Sequence, residues 1–385
     1  MRFLFFANSD WNLYNFRLPL IDAVHAQGHD VTLVSPPGPY SHRFEEAGFR
    51  WIPFPLDRSG TNPFSEAATL SRLIRLYRRE FPDVVHHFTF KCVLHGSVAA
   101  RFLGIKRVVN SITGSGHMFA DQSFWTRTLR PFVKAISRMA LLHTQVIFQN
   151  PEDCNTFVKQ GLASRESSYV IRSSGVNVER FSPVPEPRGK PVVVLASRML
   201  WEKGIAEFVE AARRLGEQGV QGRFVLVGDP DPQNLKTVPR NVLEDWKRSG
   251  VVEWWGHQDN MPEVFASSNL VCFPSYYGEG VPKVLIEAAA CGRAIVTTDV
   301  PGCREVVRNG ENGLLVPARD PNALADALKA LILNPELRAM MGVRGREIAV
   351  KEFSEELVIQ RTMEVYRSML APHPLTAAGK APSGI

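Results

Sequence analysis

Ser275-Tyr276-Tyr277-Gly278-Glu279-Gly280-Val281-Pro282-Lys283-Val284-Leu285-Ile286-Glu287-Ala288-Ala289-Ala290-Cys291-Gly292 follows a short apolar run, Leu270 to Pro274. A buried strand, a glycine-flanked loop and a helix, in that order, are the repeating unit of a wound α/β domain. Pro282 stands where the first turn of a helix accepts a proline. Val284, Leu285, Ile286, Ala288, Ala289 and Ala290 leave almost no polar face, so this helix is predicted to be buried among other elements. Glu287 is the exception. A lone carboxylate there is costly unless something satisfies it. Its companion is Glu279, eight positions earlier. Both acids then belong to the carboxyl edge of a parallel sheet, where ligands bind and where helix amides favour an anion. Hydroxyls for the carboxylates and phosphates for the amides describe a nucleotide sugar. The competing reading of Glu287 is a core glutamate paired with an Arg or Lys elsewhere.

Working outward, the same unit recurs on both sides. In the first half, Arg2 to Ala7, Asp30 to Ser35, Phe49 to Phe54, Asp83 to Phe88, Arg107 to Ile112, Gln145 to Gln149 and Ser168 to Ile171 read as strands alternating with helices. Four prolines and a glycine between Phe181 and Pro191 interrupt the pattern as a linker does. Alternation restarts with Val192 to Ser197, Phe224 to Gly228, Val251 to Trp255, Leu270 to Pro274 and Ala294 to Thr298, and three helices close the chain. The fold class is therefore α/β, with two doubly wound Rossmann-like domains facing a central cleft. The expected division is 1–183 for a first domain, 184–353 for a second, a C-terminal helix at 354–370, and a disordered tail at 371–385 rich in Ala, Pro, Gly and Ser.

Composition narrows the class. With 385 residues, 44% hydrophobic and 22% charged, the chain suits two globular domains and excludes a disordered protein. Residues 1–180 carry 21 Lys and Arg against 14 Asp and Glu, leaving 24 against 25 for the rest, so the whole excess of +6 comes from the first half. Cys92, Cys154, Cys272, Cys291 and Cys303 have no ligand spacing and read as reduced residues of a cytoplasmic protein. Phe3 to Ala7 is too short for a signal-peptide core, and no segment approaches the ~18 apolar residues of a membrane span.

Arg198 and Lys203 flank one strand-to-helix loop, a fork and a point charge that suit a diphosphate, although isolated cations are usually surface charges. The loop Asn8 to Asn15 follows the first strand, and Asn8 and Ser9 can donate to phosphate or sugar oxygens; loop solvation explains them equally. Thr113-Gly114-Ser115-Gly116-His117 lacks the third glycine of a dinucleotide fingerprint, position 119 being Phe, so its glycines serve close backbone approach. Asp229-Pro230-Asp231 matches a two-carboxylate metal pattern but reads as a turn. His86 and His87 have no metal spacing. Arg72, Arg75, Arg78 and Arg79, then Arg127, Arg130, Lys134 and Arg138, alternate with apolar residues on two helices, which suits an anionic membrane surface or a solvated face; no module for nucleic acid is present.

Glu279 and Glu287 at that spacing, Arg198 with Lys203, and Pro301-Gly302-Cys303-Arg304-Glu305 through Asn312-Gly313-Leu314-Leu315 resemble the retaining glycosyltransferases of family 4 over nearly the whole chain. The resemblance implies a GT-B fold in which 1–183 binds the acceptor, 184–353 binds the nucleotide sugar, and the last helix crosses back to the first domain. It implies Arg198 and Lys203 on the donor diphosphate, Glu287 on the ribose hydroxyls, and Glu279, Gly280 and Val281 at the donor sugar. No metal cofactor is implied, since two cations stabilise the leaving group. Leu13-Tyr14-Asn15-Phe16-Arg17 and Ile112-Thr113-Gly114 resemble, more narrowly, bacterial members acting on polyprenyl-diphosphate-linked sugars, which makes Tyr14, Asn15, Arg17, Thr113 and Gly114 candidate acceptor or cleft residues. Many members have His where this chain has Thr113, so a histidine contact is not carried over. The implied activity is transfer of a hexose or N-acetylhexosamine from a UDP-sugar to a lipid-linked saccharide by a peripheral protein on the cytoplasmic membrane face. A nucleotide-sugar epimerase on the same fold and a non-catalytic sugar-nucleotide-binding partner are the alternatives.

Overall fold

The computed structural model describes residues 1–57, 62–114, 124–232, 234–278 and 280–370, apart from the side chains of 124–132. Glu279, expected at the donor sugar, and 371–385, expected as a disordered tail, lie outside the described residues.

The strands are β1 (Arg2–Phe6), β2 (Asp30–Ser35), β3 (Arg50–Pro53), β4 (Val84–Phe88), β5 (Val108–Ile112), β6 (Gln145–Phe148) and β7 (Ser168–Val170) in a first sheet of order β3-β2-β1-β4-β5-β6-β7. A second sheet, of order β10-β9-β8-β11-β12-β13, holds β8 (Val192–Ala196), β9 (Arg223–Val227), β10 (Glu253–Gly256), β11 (Leu270–Phe273), β12 (Ala294–Thr298) and β13 (Gly313–Val316). The pairings are parallel, as in β1 beside β4 and β8 beside β11. Fully buried runs such as Val-Val-Val-Leu-Ala in β8 and Ala-Ile-Val-Thr-Thr in β12 suit strands covered on both faces. Winding reverses between β1 and β4 and between β8 and β11, which opens a crevice at each carboxyl edge.

Two local readings are corrected. Asn8 to Asn15 is not a polar loop: Asp10–Phe16 is a helix, with the Ser9 side chain accepting from the Asn12 amide and Asp10 in its first turn. Ser9 is its cap, the Asp10 carboxylate accepts from Tyr40 and Ser41, and Leu13 is its core contact. β13 was absent from the strand pattern. It is four residues led by Gly313, whose Cβ would stand 2.2 Å from the Ile295 carbonyl, so a strand-weakening glycine is what lets it lie beside β12.

The chain crosses between domains near Gly175, upstream of the proline-rich run. Val176 donates to the Phe353 carbonyl at 2.9 Å, and Glu355 donates to the Val176 carbonyl at 3.0 Å, so outgoing and returning segments run side by side. Phe181 already belongs to the second core, and Arg293 and Arg338 fasten the proline-rich run there through Val184 and Glu186. The last helix, Glu355–Leu370, buries Val358, Met363, Val365 and Tyr366 in the first-domain core. There the Tyr366 hydroxyl lies 2.6 Å from Nδ1 of His86, 280 residues away.

Candidate active site

The second-domain half of the site is built by one clasp. Gly204 has φ +76, and a Cβ there would stand 2.2 Å from the Pro274 carbonyl oxygen, so only glycine lets the loop after β8 press on the end of β11. The Glu202 carbonyl accepts from the Tyr276 amide and the Ser275 hydroxyl, each at 3.1 Å. The turn Trp201–Lys203 is thereby set over that edge, with the Lys203 ammonium 5.5 Å from the Phe273 ring centroid and 5.8 Å from that of Tyr277. Arg198, on the same loop, pairs at 2.7 Å with Asp231 from the turn after β9. Asp231 was legible only as a turn residue. Because the Arg198 side chain is 48% exposed, this ion pair contributes little and a phosphate can replace it.

The helix Lys283–Ala290 begins immediately after Pro282 and carries Glu287 one turn in. Burial pushes the Glu287 carboxyl up to about 7; Lys283 and Arg180 draw it back down, and Glu355 adds to the rise. Among the described residues no cation closes on Glu287 as an ion pair, and Lys283 and Arg180 act on it from farther off. Burial lowers Lys283 in turn, with Glu287 and Glu355 opposing.

The first domain meets this edge directly. A Cβ at Gly280 would stand 2.1 Å from Oε1 of Gln149 and 2.4 Å from the Thr113 carbonyl oxygen. The Val281 amide donates to Oε1 of Gln149 at 3.0 Å. Lys283 donates to the Asn15 carbonyl at 2.7 Å and lies 5.2 Å from the Phe16 ring centroid. Thr113 is thus at the seam opposite Gly280, and Asn15 opposite Lys283; Gly114 (φ 144) follows Thr113 in the chain. Gln149 and Lys283 were not singled out in the sequence. Each is a polar residue at the end of an apolar element, which is the signal that could have found them.

The remaining first-domain candidates separate. Ser9 is committed to its cap, and Asn8 is half-buried at the end of β1. The Tyr14 ring stacks on Tyr40 at 5.1 Å, and its hydroxyl accepts from Arg43 at 3.1 Å. The Tyr40 phenol is pushed up by burial and then by Asp259 of the second domain, so this aromatic pair also faces the seam. Arg17 is buried. His86 bonds Tyr366 and Ser111, and His87 bonds Tyr77 and Asn110, so both are core histidines. On Pro63–Glu80, Arg72, Arg75, Arg78 and Arg79 are exposed; of the second basic helix, Arg138 is exposed and Lys134 half-buried, while Arg127 and Arg130 lie among the undescribed side chains. Among the described residues no group of His, Cys, Asp and Glu converges as a metal site, and no helix is long and apolar enough to cross a membrane.

Two parallel α/β domains meeting at their carboxyl edges, with cations on one lip, define the GT-B class of sugar-transferring enzymes. The profile described as Glycosyl transferase 4-like matches residues 2–150, and that described as Glycosyl transferases group 1 matches residues 178–348. The chain belongs to the family 4 glycosyltransferases. It is 26% identical over 380 residues to the N,N'-diacetylbacillosaminyl-diphospho-undecaprenol alpha-1,3-N-acetylgalactosaminyltransferase of Campylobacter jejuni, covering 95% of this chain and 98% of that one. It is 24% identical to the UDP-Gal:alpha-D-GlcNAc-diphosphoundecaprenol alpha-1,3-galactosyltransferase of Escherichia coli, covering 78% of this chain and 79% of that one. The crystal structure of Anabaena HepE in complex with UDP superposes with a TM-score of 0.75 at 19% identity, over 96% of this chain and all of that one, and shares the fold.

Proposed function

We propose that this glycosyltransferase moves a hexose or N-acetylhexosamine from a UDP-sugar to a polyprenyl-diphosphate-linked saccharide, with retention and without a metal, on the cytoplasmic membrane face. The observation that carries the reading is the Gly204 clasp, which sets Lys203 at the end of β11, with Arg198 on the same loop, on the sheet edge whose Gly280, Val281 and Lys283 meet Thr113, Gln149 and Asn15 of the first domain. Two curated relatives named for diphosphoundecaprenol-linked substrates support the acceptor class.

In this reading Arg198 exchanges Asp231 for the donor diphosphate, Lys203 joins it, Glu287 accepts from the ribose hydroxyls, and Glu279 with the backbone at Gly280 and Val281 holds the sugar. The acceptor hydroxyl attacks the anomeric carbon from the side the diphosphate leaves. Its oxygen forms the new bond as the anomeric carbon–oxygen bond to phosphate breaks, and its proton passes to the departing diphosphate oxygen. The charge on that oxygen is met by Arg198 and Lys203, the work a divalent cation does elsewhere. The exposed arginines of Pro63–Glu80, beside Phe64 at 87% exposure, suit an anionic lipid surface, and nucleic acid has no part. The test is UDP release from a panel of UDP-sugars in the presence of an undecaprenyl-diphosphate saccharide. Release with one donor, dependent on acceptor, is expected; folded protein that releases UDP from none would overturn the reading.

A further inference from the structure

We propose that Arg17 is the centre of a receptor in the first domain for a phosphoryl group, and that the group it takes is the diphosphate of the acceptor. The identity of that ligand as acceptor rests on the function proposed above; the receptor itself rests on the following geometry.

Arg17 is 7% exposed, and its guanidinium carbon lies 4.4 Å from the Phe88 ring centroid. Its Nε is buried without a hydrogen-bond partner, and no carboxylate among the described residues pairs with the side chain. Burial brings it down to about 10, so it remains charged at neutral pH. A buried guanidinium is costly unless an anion or acceptors satisfy it. The groups that act on it are Tyr366, His86 and a second cation, Lys283, which repels it. Glu287 and Glu355 act on Lys283 instead. The fold therefore brings two cations towards one place and, among the described residues, supplies Arg17 with no acid.

Beside Arg17 is a cavity of about 20 Å³, lined among others by Ser111, Gln149, Ser173 and Ser174. Such a space admits one water-sized atom, which is the size of a single phosphoryl oxygen. Ser111 is arranged to donate into it. If the Tyr366 hydroxyl donates to Nδ1 of His86, then Nε2 carries the proton towards the Ser111 oxygen at 2.8 Å, and the Ser111 hydroxyl hydrogen is left over. Water could fill the space but would not offset the charge. Two of the lining residues, Phe16 and Gln149, are those that Lys283 and Val281 of the second domain touch, so the chamber lies one side chain behind the seam. With one oxygen in the chamber, the proposal assigns the second phosphoryl group to the Lys283 side, where a movement of Phe16, shared by chamber and seam, would admit it. The donor diphosphate, held by Arg198 and Lys203, is a separate load.

The experiment fills the donor site with UDP and adds inorganic pyrophosphate or geranyl diphosphate, following binding by calorimetry and inhibition by kinetics. Both are expected to bind the UDP-saturated protein and to inhibit competitively against the lipid-linked acceptor. Arg17→Lys and Ser111→Ala are expected to raise KM for that acceptor about tenfold or more, with the Kd for UDP unchanged, because a planar fork and a donor are lost. Inhibition competitive only with the donor, or a folded Arg17→Lys with unchanged acceptor KM and inhibition, overturns the proposal. Pyrophosphate binding that geranyl diphosphate does not reproduce and that leaves acceptor kinetics untouched marks a free-anion site and overturns the acceptor assignment. If Arg17→Lys does not fold, the wild-type inhibition pattern alone decides. Failure of every donor to release UDP would sink the function, a different result from any of these.

Discussion

Glu287 shows most clearly what a single side chain contributes. Its carboxyl is held near 7 because burial opposes the charge more strongly than Lys283 and Arg180 favour it. Between its ordinary 4.5 and about 7 the folded protein keeps a proton that the unfolded chain has released, so its contribution to stability falls as pH rises through that window. Glu287→Gln is expected to reduce the loss of Tm across that range, measured by thermal denaturation without ligand. If ribose hydroxyls need the carboxylate, UDP binding to wild type strengthens with pH through about 7 and expels a proton, and the Gln variant loses both effects; calorimetry in two buffers reads the proton directly. Lys203 makes a simpler case. Lys203→Ala removes the cation that the proposed mechanism sets against the leaving group, and on that reading a fall in kcat of about 10²-fold or more with unchanged circular dichroism is expected.

At the scale of elements, the site depends on one loop pressed on one strand end. Gly204→Ala places a Cβ 2.2 Å from the Pro274 carbonyl and strains a positive φ, so a loss of ~1–3 kcal/mol is expected, read as a lower denaturant midpoint. Activity is expected to fall further than stability, because Lys203 moves with the loop. Most elements were legible from their own residues: runs such as Val192 to Ala196 and Ala294 to Thr298 are apolar because a parallel strand is covered on both faces. The two misreadings share a cause. The helix Asp10–Phe16 opens on polar capping residues, and β13 opens on a glycine that only its neighbour β12 requires, so local composition pointed away from each.

Across the whole molecule, the seam decides whether the two halves act together. Gly280 leaves no room for a side chain between Gln149 and Thr113, so Gly280→Ala is expected to hold the domains apart while each keeps its core. Small-angle scattering should then give a larger radius of gyration in the presence of UDP, and kcat/KM for acceptor should fall with thermal stability retained; an unchanged radius and rate would show that the contact is incidental. The two crossings between the domains run side by side at Val176 and Ser354, while Lys283 with Asn15 and Val281 with Gln149 join the domains at the seam.

The sequence by itself determined the two wound domains, the strand ends that carry Arg198, Lys203 and Glu287, and the family, because periodicity and loop chemistry are properties of neighbours along the chain. Tertiary structure alone decided that Asp231 pairs with Arg198, that Gln149 and Lys283 join the domains, that burial pushes the Glu287 carboxyl up to about 7, and that Arg17 is buried with no acid beside it among the described residues. Those facts depend on which groups packing brings within a few ångströms and on how much water it removes, and residues from tens to hundreds of positions apart carry no local trace of either.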